Sequence, residues 1–195
     1  MTMRKRFPSS LAASLAALFL VAACGEPAPE ARPEASLTPA PSATMADVRG
    51  LGVMNASMPI PNVLTAGQPT EEQMAALIEL GYTNFVSLRP PTENGAGWEE
   101  MRMRELGDVS FSRISVAGAG DLTRENVEAL DRILDEAGAE NSVVYCASSN
   151  RVGGLLALRA FWLDGASPEE ALALGREAGL RGLEPAVAEL MGQPR

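Results

Sequence analysis

The chain has 195 residues, 46% of them apolar and 21% charged, with a formal net charge of −9. That size and balance suit one globular domain, and the acidic excess argues against nucleic-acid binding and against electrostatic adhesion to anionic lipid. There is no histidine, and the only lysine is Lys5; Ser-His-Asp and Cys-His catalysis, His-rich metal sites, Schiff-base chemistry and a phosphate-loop lysine are thereby excluded.

In chain order, "MTMRKRF" reads as the basic end of a signal peptide and "LAASLAALFLVAA" as its short apolar stretch. Val21-Ala22-Ala23-Cys24 resembles the lipobox at which bacterial lipoproteins are cleaved and acylated on the new N-terminal cysteine. Residues 1–23 are therefore expected to be removed, Cys24 to carry lipid, and 24–46 to form a Pro/Ala-rich tether before a domain spanning 47–195. Gly25 after the cysteine favours the outer membrane, with the domain in the periplasm of an exported lipoprotein. Cleavage removes Arg4, Lys5 and Arg6 and no acid, taking the net charge from −9 to −12. Membrane attachment would then come from the acyl chains alone.

"NVLTAGQPTEEQMAALIELGYTNFVSLRPPTENG" predicts a short strand, a helix and a second strand over 84–89. Thr70 with Gln73 forms a capping-box pattern, Gly81 suits a helix C-terminus, and Met74, Leu77 and Ile78 share one face. A short helix is expected over 97–107 and a strand over 109–116. The 117–121 loop leads to a helix capped by Thr123, with Val127, Leu130 and Ile133 or Leu134 facing inward. "SVVYC" (142–146) is a short apolar strand buried on both faces. A helix then runs from Arg151 to Gly165, Ser167-Pro168-Glu169-Glu170 opens another, and a last one covers 184–191. Trp98, Trp162 and Tyr145 read as packing residues, and Gly153-Gly154 as a point of close helix–sheet approach. Strands alternating with helices predict an α/β fold, a largely parallel central sheet flanked by helices. Ligands of such folds collect beyond the carboxyl ends of the strands, where Arg89, the 117–121 loop and Cys146 would emerge.

Cys146 is the only cysteine besides Cys24. With Cys24 lipidated it has no intrachain partner, which is unusual for an exported protein. If it ends a strand and Arg151 opens a helix, Ala147-Ser148-Ser149-Asn150 must turn sharply. Backbone N–H groups then point inward and form an anion nest at a helix N-terminus. Arg151 adds a planar fork for two oxyanion oxygens, and the same field favours a thiolate over a thiol. No metal or cofactor is called for.

The ordered segments "LTAGQPTEEQ…LIELGYTNFVSLRPPTE", "ISVAGAGDLTRENV" and "VVYCASSNRVG" resemble a bacterial phosphatase-like family related to the cysteine-dependent dual-specificity and tyrosine phosphatases, also found fused to β-lactamase-like hydrolases. The resemblance covers about residues 60–165 and implies a cysteine-dependent phosphatase-like fold. Two departures stand out. Such phosphatases usually place five residues between cysteine and arginine and a histidine before the cysteine. Here there are four, and Tyr145 precedes Cys146. The shorter loop is similar to rhodaneses, whose cysteine carries a persulfide, and also to the bacterial phosphatase-like family, so phosphoryl and sulfur transfer both stay open.

On the phosphatase reading, Cys146 is the nucleophile and Arg151 holds the phosphoryl oxygens together with the backbone of Ala147, Ser148, Ser149 and Asn150. Ser149 or Asn150 would hydrogen-bond the thiolate or help release phosphate. Asp121 is the first candidate for leaving-group acid and Glu93 the second. Arg89 would touch substrate or pair with a carboxylate. The partner would be a phosphorylated small molecule or protein. A persulfide-carrying sulfurtransferase and a non-catalytic oxyanion-binding lipoprotein are the alternatives.

Overall fold

A computed structural model describes residues 44–192. The expected signal peptide, Cys24 and the tether before residue 44 lie outside the described residues. Among these residues, no helix is long and apolar enough to cross a membrane.

The first element, α1 (Met45–Gly50), is closed by a reciprocal capping box in which the Thr44 hydroxyl accepts from the Asp47 N–H and the Asp47 carboxylate accepts from the Thr44 N–H. It is followed by β1 (Ser57–Ile60), β2 (Val63–Ala66), α2 (Glu71–Glu79) and β3 (Tyr82–Ser87). Next come α3 (Glu99–Leu106), β4 (Ser110–Arg113), a 3-10 turn (Ala119–Asp121) and α4 (Arg124–Ala137). The rest is β5 (Asn141–Tyr145), α5 (Asn150–Trp162), α6 (Pro168–Glu177) and α7 (Glu184–Leu190). The capping boxes at Thr70 and Ser167 and the Thr123 cap form as expected.

Five strands make one sheet in the order β1-β2-β5-β3-β4, antiparallel only between β1 and β2. β1 contains Pro59, which lacks a ladder donor and is tolerated because the strand lies at the edge. Two strands differ from expectation: β3 keeps its 6 residues but lies two positions earlier, and β4 is shorter. β3 ends at Ser87: the Leu88 N–H still reaches the Tyr145 carbonyl at 2.8 Å, but Pro90 and Pro91 have no N–H to continue. β4 ends at Arg113, and Ile114 and Val116 keep only single bonds to Ser87 and Leu88.

Side chains alternate between two apolar layers. Leu64, Phe85, Val143 and Tyr145 face Val48 of α1, Met74 and Leu77 of α2 and Met103 of α3. Val63, Val86, Val144 and Cys146 face Val127 and Leu130 of α4, Leu155 and Leu156 of α5, and the inner sides of α6 and α7. Because β2, β3 and β5 run parallel and in register, Gly67, Leu88 and Cys146 all emerge at one edge of the sheet.

The Gly153 contact differs from expectation. A Cβ built there would stand 2.3 Å from the Leu180 nitrogen and 2.5 Å from the Gly175 carbonyl oxygen, so the close approach is between α5 and the end of α6, not the sheet. These are backbone atoms and cannot swing away. Gly153→Ala is expected to cost about 1–3 kcal/mol through overpacking, read as a lower urea midpoint at unchanged slope. An unchanged midpoint would show that the α6 end yields freely.

Candidate functional site

Cys146 stands immediately after β5, its N–H bonded to the Ala66 carbonyl at 3.3 Å, and is fully buried. Tyr145 points to the other face of the sheet. Its hydroxyl is buried near Glu99 and Ser87, and burial above all raises its pKa. It therefore does not take the place of a loop-organising histidine beside the thiol.

The turn after Cys146 is shaped from outside. The Ala147 carbonyl accepts from the Gln68 N–H at 3.4 Å, and the Ser148 carbonyl accepts from the Asn55 amide at 3.0 Å. A trans peptide sets N–H opposite C=O, so the N–H groups of Ser148 and Ser149 turn the other way. Ser149 adopts a left-handed conformation (φ 66°) that swings the chain into α5, whose first internal bond runs from the Gly153 N–H to the Ser149 carbonyl at 2.9 Å. Apart from the isolated antiparallel bridge that pairs Ser148 with Gly67, the backbone N–H groups from Ala147 to Val152 have no close protein acceptor among the described residues.

Two side chains depart from expectation. The Ser149 hydroxyl donates to the Ala178 carbonyl at 2.7 Å, and the Asn150 side-chain Oδ1 accepts from the N–H groups of Arg181 (2.8 Å) and Leu183 (3.4 Å). Both face away from Cys146, toward the segment between α6 and α7, so neither bonds a thiolate here; they brace the loop from behind. Gly179 is required for this fit: at φ 101° it would place a Cβ 2.6 Å from that of Ser149. Sequence inspection missed this brace. Its one local signal is the turn-forming pair Gly179 and Gly182 in "AGLRGLE".

Arg151 is buried at the first turn of α5. One terminal nitrogen (Nη1) donates to Glu93 Oε2 and to the Val116 carbonyl, each at 2.7 Å, and the other (Nη2) to Glu93 Oε1 at 2.9 Å. Of the five guanidinium N–H groups, the Nε–H and one Nη2–H are left without a protein acceptor among the described residues. Those two lie along one edge of the fork, the spacing that matches two oxygens of a tetrahedral anion. The Cys146 side chain is within charge and hydrogen-bonding reach of the same guanidinium.

Glu93 lies between two arginines. Arg89, also buried, donates from Nε to Glu93 Oε1 at 2.8 Å, and its terminal nitrogens hold Gln68 Oε1 and the Gly95 and Asn94 carbonyls. Arg89 thus pairs with the carboxylate and ties down the 90–97 loop. Hydrogen bonds from Arg151, then from Arg89, overcome partial burial and hold the Glu93 carboxyl at about 2 against an ordinary 4.5. An acid this strong gives no proton at neutral pH, which counts against Glu93 as leaving-group acid in this arrangement.

The pH consequence has a definite sign. A lowered folded-state pKa stabilises fully above the unfolded value and is lost as pH falls through the folded one. The stability difference between the wild type and Glu93→Gln is therefore expected to be flat above about pH 5 and to shrink between about 4.5 and 2. A Glu93 carboxyl that titrates by NMR near 4.5 would disprove the double arginine clamp.

Asp121 ends the 3-10 turn, where its carboxylate accepts from the Ala117 N–H at 2.7 Å. A cavity of about 520 Å³ in front of Arg151 is walled by Pro90, Thr92, Ala117, Gly118 and Leu183, with Glu93 and Asn150 beside the arginine. The Asp121 loop forms part of that wall, but its carboxylate is folded back on the loop and does not line the cavity. The cavity thus presents the Arg151 side chain, with its one carboxylate, Glu93, already paired twice; Cys146 and Ala147 to Ser149 are not among its walls. That donor set suits an oxyanion and offers little to a cation.

No family model matches the chain, and no curated protein matches it in sequence. Solved structures do match. The DUF442 phosphatase-like protein of Shewanella putrefaciens CN-32 is 18% identical, with a TM-score of 0.62 over 76% of this chain and 95% of that one. A phosphatase-like protein of Neisseria meningitidis Z2491 is 20% identical, with a TM-score of 0.58 over 70% and 96%. TpbA of P. aeruginosa, as a cysteine-to-serine variant in complex with pTyr, is 14% identical, with a TM-score of 0.53 over 78% and 88%. The fold of this chain is phosphatase-like, an α/β sheet flanked by helices.

Proposed function

We propose that the protein is a cysteine-dependent phosphomonoester hydrolase, anchored to a bacterial membrane through lipid on Cys24. The observation that carries this reading is the Nε/Nη2 edge of Arg151, left free by Glu93 and Val116 and within reach of the Cys146 thiol, at the start of a helix whose first N–H groups have no close protein acceptor among the described residues. A phosphoryl group seated there has its non-bridging oxygens neutralised and its phosphorus over sulfur. The Cys146 thiolate attacks phosphorus; an S–P bond forms as the P–O ester bond breaks, and the leaving oxygen takes a proton. Water then attacks the phosphocysteine; its oxygen joins phosphorus, the S–P bond breaks, and phosphate and thiolate are released. N–H groups and a guanidinium fixed before the reaction stabilise charge redistribution without reorganising. Asp121 is the proton donor we favour, reached by release of its bond to the Ala117 N–H. Likeness to phosphatase-like structures, one of them holding pTyr, supports the same reading.

The test is acid-quenched turnover of an aryl phosphate by the reduced full chain, followed by peptide mass spectrometry. A phosphate adduct on the Cys146 peptide is the expected result. Turnover without an adduct would sink the covalent mechanism, and a persulfide formed on Cys146 from thiosulfate in place of turnover would establish the sulfurtransferase. The binding-only reading has one observation in its favour: the one carboxyl lining the cavity, Glu93, is held in its ionised form by two arginines. It would be established by phosphate binding without turnover or persulfide.

A further inference from the structure

Glu99, the first residue of α3, is fully buried, and the reaction above makes no use of it. Its Oε2 accepts from Arg113 Nη2 at 3.1 Å and from the Gly97 N–H at 2.6 Å. Its Oε1 is buried with no hydrogen-bond partner among the described residues. Arg113, the last residue of β4, turns its other terminal nitrogen to the Arg89 carbonyl at 2.5 Å and to the Ser87 hydroxyl oxygen at 3.3 Å. We propose that Glu99 and Arg113 are positioning residues for Arg151, acting through the two segments that hold its guanidinium. The inference rests on the role given to Arg151 in the phosphatase reading and adds the residues that aim it.

Three observations support it. The first is what the pair grips. Arg113 holds Arg89 and Glu99 holds Gly97, so one ion pair fixes both ends of the 89–97 segment that carries Glu93. That segment is folded tightly on itself. The Arg89 side chain binds the Gly95 and Asn94 carbonyls from inside, and a Cβ on Gly97 (φ 92°) would stand 2.7 Å from the Pro91 carbonyl oxygen. With its ends fixed, Glu93 has little room to tilt. The second is that the acceptors of Arg151 lie on the two segments Arg113 joins. Glu93 belongs to one, and Val116 follows Arg113 by three residues on the other. Beyond Arg113 the chain keeps only the single bonds of Ile114 to Ser87 and of Val116 to Leu88.

The third is energetic. A buried ion pair is seldom more stabilising than apolar side chains of the same volume, because both charges lose their water. What this pair adds over such side chains is geometry. The guanidinium of Arg151 is planar, so the angle of the edge held by Glu93 sets the angle of the edge left free for an anion. A misplacement of about 1 Å at such a contact costs up to about 10²-fold in rate.

The experiment uses the full chain in two variants, Arg113→Lys and the double variant Glu99→Leu with Arg113→Met. Both keep the net charge, so neither shifts Glu93 by changing it. A lysine reaches Glu99 or the Arg89 carbonyl but cannot bridge them, and the double variant leaves no charge buried alone. In each, kcat for an aryl phosphate should fall about tenfold with a smaller change in KM. The Glu93 carboxyl, followed by NMR, should titrate above its wild-type value of about 2. Movement of only one readout, or of neither, overturns the proposal and leaves the phosphatase reading standing; a lower urea midpoint alone is that case. If the wild type hydrolyses nothing, inorganic phosphate affinity in the Cys146→Ser background replaces kcat. An affinity that then falls together with the Glu93 shift upholds the pair and overturns the hydrolase, and one that does not fall overturns both.

Discussion

Cys146→Ser is expected to reduce phosphomonoester hydrolysis to the uncatalysed background, a loss of about 10³-fold or more, while leaving inorganic phosphate binding in place. A serine hydroxyl becomes a nucleophile only when a base removes its proton. The chain has no histidine, and Glu93, the carboxylate paired with Arg151, is held by two arginines at a pKa of about 2, far too weak a base. The anion cradle does not depend on sulfur. It is made by backbone N–H groups whose peptide carbonyls are held outward by Gln68 and Asn55, and by an arginine held by Glu93 and Val116. Turnover and binding should therefore separate in this variant. A Cys146→Ser protein that still turns over would remove the thiol from the mechanism. One that also loses phosphate binding would show that the sulfur shapes the nest.

The elements around this site were legible to different depths. The helices announced themselves through local chemistry: Thr70 with Gln73 and Ser167 with Glu170 make their capping boxes within four residues, and Gly81 takes φ 88° where a helix must end. The Cys146-to-Arg151 turn was legible because its geometry is demanded by a strand end followed at once by a helix. α1 and β1 were not, since one is six residues long and the other carries a proline at the sheet edge. The partners of the site were hidden for another reason. Glu93 meets Arg151 across 58 positions, and Ser149 meets Ala178 across 29. No local pattern encodes such pairs; they follow from which loops the parallel register brings to one edge. Ser149 and Asn150 illustrate the cost. Both residues belong to the loop as read, yet their side chains face the opposite way, because the α6–α7 segment supplies an unpaired carbonyl to one and N–H groups to the other.

Arg151→Lys is expected to lower kcat/KM by about 10²–10³-fold, although it keeps the charge. Arginine here does two jobs that an ammonium cannot do together. One edge is committed to Glu93 and the Val116 carbonyl, and the free Nε/Nη2 edge meets two oxygens at once. A lysine reaches one partner as a point charge. Placed against Glu93 it leaves the phosphoryl group to the backbone alone; placed against phosphate it leaves Glu93 with Arg89 only and strands the Val116 carbonyl. The fall should therefore be larger in kcat than in KM, since the second contact matters most as charge moves onto the equatorial oxygens. The Glu93 pKa should rise from about 2 toward 4.5 in the same variant, because Arg151 is the largest cause of its depression. The two readouts test different edges of one guanidinium. If activity falls while Glu93 stays low, lysine has taken over the ion pair and the phosphate edge alone is lost. If Glu93 rises while activity holds within about threefold, Arg151 serves the loop and not the phosphoryl group, and the transition-state role assigned to it fails.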